Sequence, residues 1–92
     1  MAARGYKCGL IFIDGDHRFD NVLVDFFLSD LICAPNGVIV FDDVLMPAIQ
    51  RVIKFIRSNR SDFRYLETDV SNAAVFQKIG RDERPWDHFV DF

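Results

Sequence analysis

Ninety-two residues that are 50% hydrophobic, 14% aromatic and 27% charged fit one small globular domain, at the short end of the usual range of roughly 100–150 residues. Ten phenylalanines exclude a disordered or fibrous chain, and the length leaves little room for a complete nucleotide-dependent enzyme. Eleven basic against fourteen acidic side chains give a net charge of −3, so no overall basic field draws the chain to nucleic acid.

The first residues, MAARGYKCGLIFI, end in a short apolar run that stops at Asp14. It is too early for a signal-peptide core with a cleavage site, and nothing approaches the ~20 apolar residues of a membrane span. Cys8 and Cys33 form no CxxC and no Cys/His cluster, so they read most simply as reduced thiols. A cytoplasmic protein is expected.

Residues 8–13 (CGLIFI) are apolar on both faces, the pattern of a buried parallel strand. From Arg18 the spacing becomes helical: Phe19, Val22, Leu23, Phe26, Phe27 and Leu31 share a stripe, and Asp20, Asp25 and Asp30 face away. Asp16 stands where an N-cap belongs. Pro35-Asn36-Gly37 makes a turn, and 38–41 (VIVF) form a second buried strand ending at Asp42-Asp43. Strand, helix and strand in this span predict a right-handed βαβ unit.

A second helix follows from Met46 to Arg57, with Pro47 in its first turn. Ile49, Val52, Ile53 and Ile56 face inward, while Arg51, Lys54, Arg57 and Arg60 form a basic, solvated outer stripe. Residues 63–68 and 73–79 read as two strands, with Ser71-Asn72 near a connection short enough to make them an antiparallel hairpin. The tail, 81–92, is expected to be irregular but docked through Trp86, Phe89 and Phe92 over a sheet edge. The whole predicts a single α/β domain over 1–92, with a core at 8–80 and about four strands.

In open α/β sheets, ligands bind beyond the carboxyl ends of the parallel strands. Both predicted parallel strands end there in acids: Asp14 and Asp16, with His17, after the first, and Asp42 and Asp43 after the second. If the strands are neighbours, these groups share one crevice. Carboxylates that close repel unless protonated or bound to a cation, which suits Mg²⁺ or Ca²⁺. His17 at the rim is placed to take a proton near neutral pH. The plainer alternative is that Asp16 caps the helix and the other acids are solvated loop residues.

The segments LIFIDGDHRFDNVLVDF and APNGVIVFDDV resemble the second half of a class I S-adenosylmethionine-dependent methyltransferase. The nearest branch carries an IDGDH-type motif and includes metal-dependent sugar and small-molecule O-methyltransferases. The resemblance covers residues 8 to about 80, with Asn36 in place of the first glycine of the second segment. It implies a partial Rossmann-like sheet made of the family's last four strands, in spatial order 4-5-7-6. It also implies that Asp14, Asp42 and Asp43 hold Mg²⁺ and that His17 is the catalytic base acting on a small-molecule hydroxyl acceptor.

The family holds S-adenosylmethionine mainly through a glycine-rich loop in its first half. Here Gly5, Gly9, Gly15, Gly37 and Gly80 are scattered, and no tight turn lets the backbone approach a cofactor. The expected protein is therefore a methyltransferase-family fragment, inactive alone. It keeps the metal and acceptor side of the site and forms a homo-oligomer, most simply a two-fold dimer, through the open edge of strand 8–13 or the apolar face beside it. The alternatives are an active Mg²⁺-dependent O-methyltransferase completed within an oligomer, and a non-enzymatic oligomerisation or binding module.

Overall fold

A computed structural model of the protein describes residues 7–14 and 17–92. In chain order these form strand β1 (Cys8–Ile13), helix α1 (Phe19–Ile32), strand β2 (Cys33–Asp42), helix α2 (Pro47–Asn59), and strands β3 (Phe63–Leu66) and β4 (Ala73–Lys78). The sheet order is β1-β2-β4-β3. β1 and β2 are parallel across the α1 crossover, and β4 runs antiparallel to both β2 and β3. This is the α/β, partial Rossmann-like arrangement expected from the sequence, in the order that the resemblance implied. No helix among the described residues is long and apolar enough to cross a membrane.

One apolar cluster holds the elements together. Alternate residues of the strands (Ile13, Ile39, Phe41, Phe63, Ala74, Phe76) meet Val22 and Phe26 of α1 and Ile49, Val52 and Ile56 of α2. The phenylalanines supply directed packing as well as area: Phe26 stands edge-on to Phe63 at 5.2 Å, and Phe41 edge-on to Phe76 at 5.9 Å. The residues between them point to the opposite face, which no helix among the described residues covers. There Leu10 is 59% and Phe12 66% exposed.

Helix α2 buries Ile49, Val52, Ile56 and Asn59, a spacing that repeats every three to four residues. Helix α1 is narrower inside than expected. Val22, Phe26 and Ser29 are buried, whereas Phe19, Phe27 and Leu31 remain exposed, because only one flank of the helix meets the sheet. Arg18, in extended conformation, takes the N-cap position. Asp16, expected there, lies outside the described residues. β2 begins five residues before the expected strand: Cys8 pairs with Cys33, then Leu10 with Val38. The expected turn at Pro35-Asn36-Gly37 is thus a bulge inside a longer strand, with Asn36 at φ 64°. β3 and β4 stop at Leu66 and Lys78, slightly short of the expected ends.

Two charged residues lie where periodicity did not place them. Arg60, expected on the solvated basic stripe, is 1% exposed. Its Nε and Nη2 donate to both carboxylate oxygens of Asp62 at 3.0 and 2.8 Å, and Nη2 also reaches Asp30 at 2.7 Å. The guanidinium lies 5.2 Å from the Phe26 ring and 5.4 Å from that of Phe63. Asp30, expected to face solvent, turns inward and also pairs with Lys78 at 2.8 Å. Burial works to lower the Arg60 pKa, but its hydrogen bonds to the Asp62 and Asp30 carboxylates outweigh that and raise it. For Asp30, burial pushes upward, and hydrogen bonds from Lys78 and Arg60 hold it below the usual range.

The tail docks on α2 rather than over a sheet edge. The Asn59 amide donates to the Val90 carbonyl and accepts from the Val90 N–H, both at 2.8 Å. Phe92 stands edge-on to Phe55 at 5.4 Å, beneath the Arg51 guanidinium. Asn59 offers the two-way pairing of a neighbouring strand, so the tail follows the helix end. Trp86 takes no part in the docking and is 96% exposed. Cys8 and Cys33 are free thiols, and burial pushes the Cys33 thiol up.

Candidate functional site

The parallel register decides what lies together. Ile13 pairs with Phe41 at the ends of β1 and β2, so Asp14 and Asp42 leave the sheet side by side. Asp43 then takes a left-handed conformation, φ 57°, which turns the chain sharply before α2. One carboxylate oxygen each from Asp14, Asp42 and Asp43 lies within 4.8 Å of the others. His17, just before α1, donates from Nε2 to Asp43 Oδ2 at 2.9 Å. Of the five residues named from the sequence for this crevice, Asp14, His17, Asp42 and Asp43 therefore converge at the carboxyl ends of the parallel pair, and Asp16 lies outside the described residues.

The pair is open to water, with side chains 42% exposed for His17 and 37% for Asp43. The hydrogen bond from His17, and next that from Asn72, hold the Asp43 carboxyl below its usual range. With the carboxylate accepting from Nε2, the His17 Nδ1 is left as the acceptor of the ring. Beside the acids, on the uncovered face, runs a groove of about 490 Å³ lined by Phe12, Asp14, Val40, Asp42, Val70 and Val75.

Asn72 was read from the sequence only as a residue near a turn. It donates from Nδ2 to Asp43 Oδ1 at 3.2 Å, accepts from the Leu45 N–H at 3.1 Å, and its carbonyl accepts from the Val44 N–H. The only available signal was an asparagine in a hairpin connection, a setting that turn geometry alone explains.

Compared with known families, residues 2–44 match the model of a methyltransferase domain. This part of the chain is similar to a methyltransferase domain. The parallel pair and the antiparallel β4 are consistent with a partial Rossmann-like fold. The methyltransferase match ends at Val44, directly after the acids, and α2 and the hairpin lie beyond it. No curated protein matches the chain.

The residues fit the two groups associated with such methyltransferases unequally. Three carboxylates at this spacing are hard oxygen donors that suit Mg²⁺ or Ca²⁺. For S-adenosylmethionine, the described glycines Gly9, Gly37 and Gly80 lie on separate stretches of the chain and do not form one glycine-rich turn. Gly9 faces open space, and a Cβ on Gly37 would meet Ala34 O at 2.8 Å and Cys33 Sγ at 2.9 Å, so that glycine serves its own strand.

Proposed function

We propose that this chain is the metal- and acceptor-binding side of a cytoplasmic, metal-dependent O-methyltransferase domain, and that it is inactive without a cofactor-binding partner segment. The reading rests on the convergence of Asp14, Asp42 and Asp43 within 4.8 Å, with His17 2.9 Å from Asp43. When bound there, Mg²⁺ would lower the pKa of an acceptor hydroxyl. His17, oriented by Asp43, takes the hydroxyl proton at Nδ1. The apolar wall of the adjoining groove, Phe12, Val40 and Val75, holds the body of a small acceptor. No step is assigned to S-adenosylmethionine, since the described glycines do not form one glycine-rich turn.

Calorimetry and Mn²⁺ paramagnetic resonance test the two halves of this reading. One divalent ion per chain is expected to bind, with the signal lost in Asp14→Ala and Asp42→Ala. No S-adenosylmethionine binding is expected from the chain alone. Metal binding that survives both substitutions rejects the assignment of the acids, and 1:1 micromolar cofactor binding rejects the assignment of an incomplete site.

The edge position of β1 among the described strands, with the exposed Leu10 and Phe12 on it, favours self-association, and we assign that edge to a second copy of the chain.

A further inference from the structure

The feature that the proposed chemistry leaves unexplained is how an exposed His–Asp pair is held in one geometry. Ion pairs on the surface are screened by water and lose side-chain entropy on forming, so mutual attraction alone does not fix their orientation. Asp43 also sits in a left-handed conformation that its own loop must maintain. The loop is fastened from outside. Three consecutive residues, Asp43, Val44 and Leu45, are bonded to one residue of the β3–β4 connection, Asn72.

We propose that Asn72 is a positioning residue: it fixes the side chain of Asp43, and through it the ring of His17. The proposal builds on the site reading above. The residue type matters in three separable ways. Its backbone takes φ 65°, which asparagine tolerates better than most residues. Its amide oxygen accepts from the Leu45 N–H, and its amide nitrogen donates to Asp43 Oδ1. Aspartate keeps the first two capacities and loses the third, glycine keeps only the first, and alanine keeps none. Asn72 thus leaves Asp43 Oδ2 to His17 and orders Nε2–H···Oδ2 as the single pairing, with Nδ1 facing out.

The test is made on the 92-residue chain at about pH 8, where free imidazole is neutral. Long-range ¹H–¹⁵N spectra of the metal-free protein report the His17 ring. The wild type is expected to hold the proton on Nε2, and Asn72→Gly and Asn72→Asp to return the ring to a mixture of tautomers. Melting temperature separates this from a structural effect, since Asn72→Gly retains the left-handed turn and the backbone bond from Val44 and is expected to melt close to wild type, whereas Asn72→Asp sets a further carboxylate against Asp43 and is expected to melt lower. Mn²⁺ titration is expected to show an affinity about 10–100-fold weaker in Asn72→Gly, the range for loss of a hydrogen bond to a ligating group. A His17 ring that keeps one tautomer in both variants overturns the proposal. A wild-type chain that binds no Mn²⁺ while both variants still lose the tautomer overturns the metal reading and supports the role of Asn72.

Discussion

Arg60 is the most deeply buried charged residue among those described, at 1% exposed. Its guanidinium is buried among three phenyl rings and two close carboxylates. Removing it strips Asp62 of its guanidinium partner and leaves Asp30 with Lys78, in a poorly solvated site. Arg60→Ala is expected to cost about 3–5 kcal/mol, read as a shift in the urea midpoint. The residue was misread for a definite reason. Arg51, Lys54 and Arg57 are exposed helical residues, but α2 ends at Asn59, and Arg60 has φ −115° and ψ 80°. Helical periodicity does not extend past the helix, and the chain swings this side chain inward. The acids of the site were legible because two parallel strand ends place them by topology alone. Asn72 was not, because its partners lie 27–29 positions away.

The neighbouring acids also set a pH limit. The Asp82 carboxyl is pushed from 3.8 down to about 2, chiefly by the hydrogen bond from Arg84, and Asp30 is likewise lowered. Carboxyls with depressed folded-state values stabilise the fold fully above the unfolded value and lose that contribution as pH falls through the folded one. The thermal midpoint is therefore expected to fall as pH drops from 3.8 towards about 2. An unchanged midpoint over that window in differential scanning calorimetry contradicts these pairings.

Among the elements, β2 differs most from its sequence pattern. A proline, an asparagine and a glycine in a row read as a loop, yet pairing with β1 begins before them at Cys33. Two steps along β1 are matched by five along β2, and the extra residues form the bulge. What decides this is tertiary pairing, which a local turn signal does not contain. Gly37 is fixed by the bulge, since a Cβ there would meet backbone oxygen Ala34 O at 2.8 Å. Gly37→Ala is expected to cost about 1–3 kcal/mol through forced backbone movement, whereas Asn36→Gly, at φ 64°, is expected to be nearly neutral. Denaturant melts of the two variants check the contrast. The amphipathic α2 and the hairpin were readable because their spacing and short connection act locally.

At the scale of the whole molecule, the described helices α1 and α2 both pack on the same face of the sheet. Apolar strand residues on both faces were legible as a sign of burial, but not the fact that these helices would leave one face uncovered. Single-sequence patterns report what a residue prefers, not whether another layer is supplied. Two β1 edges pairing antiparallel across a two-fold axis would give one continuous eight-stranded sheet, with Leu10 and Phe12 of both copies on a shared face. Light scattering after size exclusion is expected to give the mass of two chains, falling to one in Phe12→Glu. A monomeric wild type at high concentration counts against this assembly.

The join between β2 and β4 has a consequence for how the site comes into being. It is a seam between two locally built halves, the β1-α1-β2 crossover and the α2-β3-β4 unit. Val40 and Val75, which meet across it, are 35 positions apart, so closing it costs about 3 kcal/mol of loop entropy. Asp42 opposite Ala73 is its last rung, with Asp43 and Asn72 immediately beyond. The chemistry-bearing groups thus stand at the open end of a zipper. Fraying of a single rung there would part Asn72 from Asp43 and disarm the site while both halves remain folded.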